Sequence, residues 1–113
     1  MLNELAEEIY QNNKEKGFWD KERNVGEMLM LVTSELGEAM EAHRRGRFAN
    51  LEAYEEFSED FEDAIKDTFE DEIADAIIRL LDMCGGSCID IDTHIRLKLE
   101  YNKTRERLHG KSY

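Results

Sequence analysis

The sequence contains no proline. The strongest helix breaker is therefore missing from every segment, and long helices can run uninterrupted. It also lacks any apolar run approaching the roughly 18–20 residues that span a bilayer, which argues against a membrane partner. Cysteine is scarce: Cys84 and Cys88 form a lone C-x-x-x-C. A zinc site wants four ligands and His94 supplies at best a third, so the pair reads as reduced thiols. Reduced thiols, and a beginning (Met1-Leu2-Asn3-Glu4) that is polar and acidic early, unlike a secretory signal, predict a cytoplasmic chain. Positive charge is also short, with 15 Lys and Arg against 27 Asp and Glu and a net charge of −12. Such a surface repels phosphate backbones, so a nucleic acid polymer is a poor main partner. A small polyphosphate ligand remains open, provided that metal ions and a few placed Lys or Arg let it approach. Solubility alone accounts for most of the charge.

What is present is helical pattern. At 113 residues, 41% of them apolar and 37% charged, the chain suits one soluble domain spanning residues 1–113. A first helix is predicted from about Asn3 to Lys16, with Leu2, Leu5, Ala6 and Ile9 as its stripe and Gly17 after it. The second runs from about Asn24 to Arg45. Asn24 and Glu27 resemble a capping box. Val25, Met28, Leu29, Val32, Leu36, Ala39, Met40 and His43 recur at helical spacing, and Gly46 ends the run. Gly37 in its middle costs roughly 1 kcal/mol against alanine, which predicts a close approach by a helix or ligand. Residues 47–66 are irregular and acidic, with Asn50 able to cap a short helix through Leu51, Tyr54 and Phe57. The third long helix runs from about Asp67 to Cys84, stopped by Gly85-Gly86. The last runs from about Asp90 to Leu108. No strand pattern is visible. The expected fold is all-α: a four-helix-bundle-like domain with a short extra helix or mobile connection between the second and third long helices.

Two acidic pairs stand inside this pattern. Glu35 and Glu38 sit three apart on the second helix, and Glu72 and Asp75 three apart on the third. Residues at that spacing are surface neighbours on a helix. At about 100° per residue, Glu35 projects beside Met28, Val32 and Ala39, at the edge of the core stripe. Glu38 lies further round, with Leu31 and Ala42. Glu72 projects next to Ile65, Ala76 and Met83, inside the apolar arc, and Asp75 flanks it with Arg79 one turn on. Burying an unpaired charge is costly, so acids at the border of a core call for a partner. Two readings stay open on pattern alone. One is a site for a hard divalent cation. The other is ordinary salt bridging, for example Asp75 with Arg79. His43, on the core stripe, reads as a packed residue. Glu106 and His109 make a single E-x-x-H, and the second one that a di-iron bundle needs is missing.

The set of motifs resembles the MazG-like, all-α nucleoside triphosphate pyrophosphohydrolase superfamily, which includes dimeric dUTPases. The matching text is Ser34-Glu35-Leu36-Gly37-Glu38, then Glu72-Ile73-Ala74-Asp75, then Lys98-Leu99-Glu100-Tyr101-Asn102-Lys103-Thr104-Arg105. It covers roughly residues 18–113, ending on the basic His109-Gly110-Lys111. The resemblance implies Glu35, Glu38, Glu72 and Asp75 as ligands of Mg²⁺, with Mn²⁺ as a substitute. It places Lys98, Asn102, Arg105 and Lys111 at the phosphates or sugar of a nucleoside triphosphate. It implies Mg-dependent cleavage between the α and β phosphates, giving a monophosphate and pyrophosphate. Glu38, then Glu35, is the expected group on the attacking water, and Phe18-Trp19 a candidate wall for the nucleobase, with core packing the competing role for Trp19. The family motif often begins with two adjacent glutamates, and Ser34 replaces the first here. That substitution motivates the alternative, a non-catalytic helical module binding nucleotides or partners. A purely structural acidic bundle is a third reading. Four helices in a chain this short leave apolar surface uncovered, which predicts a homodimer or a dimer of dimers.

Overall fold

A computed structural model describes residues 1–105. Among these the regular secondary structure is all helix: α1 (Leu2–Glu15), α2 (Val25–Arg44), α3 (Leu51–Glu56), α4 (Phe61–Ala64), α5 (Phe69–Gly86) and α6 (Ile91–Lys103). The all-α, bundle-like expectation holds. The four long helices are α1, α2, α5 and α6. Their main contacts run α2–α5, α5–α1 and α1–α6, so α5 is the inner element and α6 an outer one.

Local chemistry explains the starts. Asn24 Oδ1 accepts from Glu27 N at 2.9 Å, Asn50 Oδ1 from Ala53 N at 2.9 Å, Thr68 Oγ1 from Asp71 N at 3.3 Å and Asp90 Oδ1 from Thr93 N at 3.1 Å. Each satisfies a donor that a helix leaves orphaned at its first turn. α1 has no side-chain cap of its own. Asp92 supplies it from α6, accepting from Leu2 N at 2.9 Å and Asn3 N at 3.0 Å. Asn3 answers by accepting from Asp92 N at 3.2 Å and donating to Asp90 Oδ1 at 2.7 Å. The N-termini of α1 and α6 thus cap each other.

α2 ends as a Schellman motif: Gly46 takes φ 67°, its N–H donates to His43 O at 3.1 Å and Arg47 N to Ala42 O at 2.9 Å. Glycine adopts that left-handed conformation without a Cβ penalty. The chain then joins the start of α5, with Phe69 N donating to Arg47 O and Ala49 N to the Glu70 carboxylate, both at 2.9 Å. His43, Phe48 and Phe69 meet edge to face around this joint, so His43 packs against two rings while staying exposed, outside the core stripe on which its spacing put it.

Four expectations are corrected. The Gly85-Gly86 pair does not stop the third long helix, since α5 continues through both. A Cβ on Gly85 would come within 2.6 Å of Ala6 O, and one on Gly86 within 2.5 Å of the Trp19 ring. The glycines are there for close packing, and Ser87 is the C-cap. Gly37 is the converse: nothing lies within 4 Å of where its Cβ would be, so no element within residues 1–105 presses on it. The 47–66 stretch forms two short helices, α3 and α4, since Ser58 (φ 56°) breaks the run. Finally, α6 closes at Lys103 with Thr104 as its C-cap; the expected extension to Leu108 falls beyond residue 105.

The buried residues are mostly small: Ala6, Ala39, Ala42, Ala53, Ala64 and Ala76, with Met28, Val32, Leu81 and Cys84. Small side chains let backbones approach, and that closeness brings the acids of α2 and α5 together. No helix is long and apolar enough to cross a membrane.

Candidate metal centre and its flanking cavities

Glu35 occupies the α2 face that also carries Met28, Val32, Ala39 and Ala42, all buried. That is the face packed on α5, where Glu72 and Ala76 are buried in turn. The carboxylate pairs therefore meet across one helix–helix contact. Glu35, Glu38 and Glu72 each offer an oxygen, and the three lie within 4.8 Å of one another. Magnesium bonds oxygen at about 2.1 Å, so neighbouring ligand oxygens of an octahedral site lie roughly 3 Å apart and opposite ones roughly 4 Å.

The surroundings leave this group undersatisfied. Glu72 is 5% exposed, and its Oε2 is buried with no hydrogen-bond partner. Buried polar atoms are nearly always partnered, and this carboxylate oxygen, beside two other carboxylates, is an exception. Desolvation first, then the neighbouring Glu35 and Glu38 carboxylates, push the Glu72 pKa from its ordinary 4.5 to about 8. Asp75 is raised as well, by burial and by the charges of Asp71 and Glu35, against the opposing pull of Arg79. Three or four clustered carboxylates without a cation hold a proton more tightly.

Arg79 does not pair with Asp75. Its Nε donates to Glu35 Oε1 at 3.0 Å, bridging α5 to α2. One oxygen of Glu35 is thereby committed, while Glu38 stays exposed at the rim. Ser34 takes no part: its Oγ donates to Leu31 O at 2.7 Å, back into its own helix.

Two cavities flank the cluster. One, of about 260 Å³, is lined by Asn13, Phe18, Arg23, Met28, Glu35, Asp75, Ile78, Arg79 and Asp82. It holds Asp75, which lies outside the three-carboxylate group. Its size sits just under the roughly 300–1,000 Å³ of ordinary ligand pockets. The other, of about 300 Å³, is lined by Glu38, Glu41, Arg47, Asp67 and Glu72. Asp67, Asp71 and Glu72 form a second close carboxylate group at its edge.

Phe18 and Trp19 part company. Phe18, 62% exposed, lines the first cavity. Trp19 does not. Its Nε1 donates to Asp82 Oδ1 at 2.9 Å, Arg23 stacks 4.8 Å from its ring, and Tyr10 meets it edge-on at 5.2 Å. Arg23 also pairs with Asp82 at 3.1 Å. Trp19 is a strut between α1 and α5. Asp75, Arg79 and Asp82 fall on one face of α5, a spacing in the sequence that could have flagged Asp82. Arg47 lies outside any periodic segment, and its place at the second cavity was not readable.

The α6 residues are elsewhere. Lys98 and Arg105 lie over the ring of Tyr101, at 5.2 and 5.6 Å. Asn102 Oδ1 is buried without a partner. None of Lys98, Asn102 and Arg105 lines either flanking cavity. Lys111 lies outside the described residues.

No family model, curated protein or solved structure matches this chain.

Proposed function

We propose that the chain is a Mg²⁺-dependent nucleoside or deoxynucleoside triphosphate pyrophosphohydrolase of the cytoplasm. The observation that carries this reading is the buried, unpartnered Glu72 Oε2 beside Glu35 and Glu38. The internal cation of the cluster, Arg79, is spent on Glu35 and leaves Glu72 Oε2 unpartnered. The E-x-x-E and E-x-x-D text of α2 and α5 supports the same reading by resemblance. Glu35, Glu38 and Glu72 would hold the metal, with Asp75 at the border. Bound there, Mg²⁺ would neutralise phosphate charge and acidify a water. Mn²⁺ would serve in its place.

The chain's own groups have separable tasks. Arg79 fixes Glu35, so its carboxylate is held in orientation. Glu38, exposed at the rim and without an arginine on it, is the group that would take the proton from an attacking water; Glu35 is second. Phe18, Met28 and Ile78 give the first cavity an apolar lining suited to part of a nucleoside, with the remaining substrate outside that small volume. We further propose a homodimer, or a dimer of such dimers. Exposed apolar rows at Leu29, Leu36 and Met40 on α2, and at Ile73, Ile77 and Leu80 on α5, favour self-association. Lys98, Asn102 and Arg105 keep a place at the phosphates only if assembly or substrate brings α6 to the cluster.

The test is incubation of purified protein with a panel of triphosphates and Mg²⁺. Monophosphate and pyrophosphate from at least one are expected; background alone with all of them would remove the reading. One observation favours a second reading, a nucleotide-binding module without turnover. Ser34 stands where the family that the motifs resemble often carries a glutamate, and its hydroxyl is spent on Leu31 O in its own helix. Binding without product would select that module.

A further inference from the structure

We propose that Arg47 is the cation that receives the terminal phosphates of a metal-bound polyphosphate, in the cavity between the end of α2 and the start of α5. This rests on the pyrophosphohydrolase reading and adds to it the phosphate-binding residue and the side from which the chain of phosphates enters.

Four observations converge on Arg47. It is the one cation among the residues lining that cavity, with Glu38, Glu41, Asp67 and Glu72 around it. Two of those four, Glu38 and Glu72, belong to the candidate metal cluster. Its backbone is fixed from both sides: Arg47 N donates to Ala42 O, and Arg47 O accepts from Phe69 N, each at 2.9 Å. Its side chain is uncommitted, with no ion pair to a described residue despite four carboxylates nearby. The other arginines around the site are spent, Arg79 on Glu35, Arg23 on Asp82 and Arg45 on Glu41.

Electrostatics then decide the order of binding. Empty, the cavity is dominated by carboxylates and repels phosphate. A divalent cation on Glu38 and Glu72 offsets much of that charge, and an anion bridging metal and guanidinium becomes favourable. Arginine suits the task because its planar fork matches phosphate oxygens in pairs. Glu72, 5% exposed with an unpartnered oxygen and lining this same cavity, is the second, independent sign that a charged ligand belongs here.

The test uses the full chain, Mn²⁺ and inorganic tripolyphosphate. Mn²⁺ binding is followed by electron paramagnetic resonance, and tripolyphosphate binding by calorimetry with and without Mn²⁺. Arg47→Ala should weaken Mn²⁺-dependent tripolyphosphate binding by about 10- to 100-fold, the range of a lost charge-assisted contact. Arg47→Lys should lose less, and Mn²⁺ binding alone should be unchanged in both. Arg44→Ala, which removes an equal charge from the last turn of α2, should leave tripolyphosphate binding near wild type. Wild-type binding in Arg47→Ala, or an equal loss in Arg44→Ala, overturns the assignment of Arg47 while leaving the metal site standing. If wild-type protein binds neither Mn²⁺ nor its tripolyphosphate complex, both the assignment and the reading beneath it fall.

Discussion

The α1–α6 end and the α2–α5 contact both use carboxylates, and they treat them in opposite ways. Asp92 and Asp90 sit where backbone and amide donors converge. Asp92 accepts from Leu2 N, Asn3 N and the terminal amine, and Asp90 from the Asn3 amide and Thr93 N. Those bonds lower both pKa values, Asp90's to about 2, led by the Asn3 side chain for Asp90 and the Asn3 backbone for Asp92. Glu72 has an oxygen with no donor at all, and its pKa moves up. In a chain with 27 acids, abundance says nothing about role. Satisfaction separates them: Asp90 and Asp92 own their donors and join two helices, whereas Glu72 keeps an oxygen without one, where we propose a cation.

The largest contrast should be in turnover. Glu38→Gln and Asp75→Asn are expected each to abolish pyrophosphate release while circular dichroism stays helical. Asp92→Asn, at the other end, should keep turnover. Wild-type rates in both site variants, or a dead Asp92→Asn enzyme that is still folded, would break the division.

Next comes pH. Glu72 is an acid raised from 4.5 to about 8. Between those values the native state holds a proton that the unfolded chain has released. Its contribution is therefore fully present below about pH 4.5 and is lost as pH rises through about 8. The metal-free protein should gain up to a few kcal/mol from this group on going from pH 8.5 to 5. Glu72→Gln should flatten that gain and be the more stable protein at pH 8.5. Asp90 and Asp92 run the other way, with stability present above their ordinary range and lost as pH falls through their lowered values. Urea melts of wild type and Glu72→Gln from pH 8.5 down to about pH 2 would expose both signs; a wild-type gain between pH 8.5 and 5 that survives the substitution would count against Glu72 as its source.

Asp92→Ala should lower Tm by several degrees, because it uncaps α1 and removes the carboxylate half of the mutual cap with α6. An unchanged Tm would mean that the mutual cap is ornamental. The smallest effect is at Gly37, on α2 beside the acids. With open space around it, Gly37→Ala should stabilise by about 0.5–1 kcal/mol. Gly86→Ala should instead destabilise, since the new Cβ meets Trp19. Thermal melts of the pair separate the two environments.

Much of the fold is legible in the sequence. Four long helices follow from the 3.6-residue pattern and the missing proline, and angular neighbours put Glu35 at the edge of the core stripe and Glu72 inside the apolar arc. What was hidden depended on partners far along the chain. Gly85-Gly86 carries the same local signal whether it ends a helix or admits Ala6 and Trp19 against it. Asp75 and Arg79 satisfy the i,i+4 rule, yet Arg79 finds Glu35 on another helix. Asp92 looks like any first-turn acid of α6, and only the fold shows that it caps α1. Arg47 sits in an aperiodic joint, where no spacing argument reaches.

If the undersatisfied carboxylates of α2 and α5 form the divalent-cation site we propose, Mn²⁺ titration followed by electron paramagnetic resonance will separate wild type from Glu72→Gln. Saturable binding to the wild type that is lost or weakened at least about tenfold in Glu72→Gln is the predicted result. No saturable binding to the wild type, or equal binding by the two proteins, would contradict it.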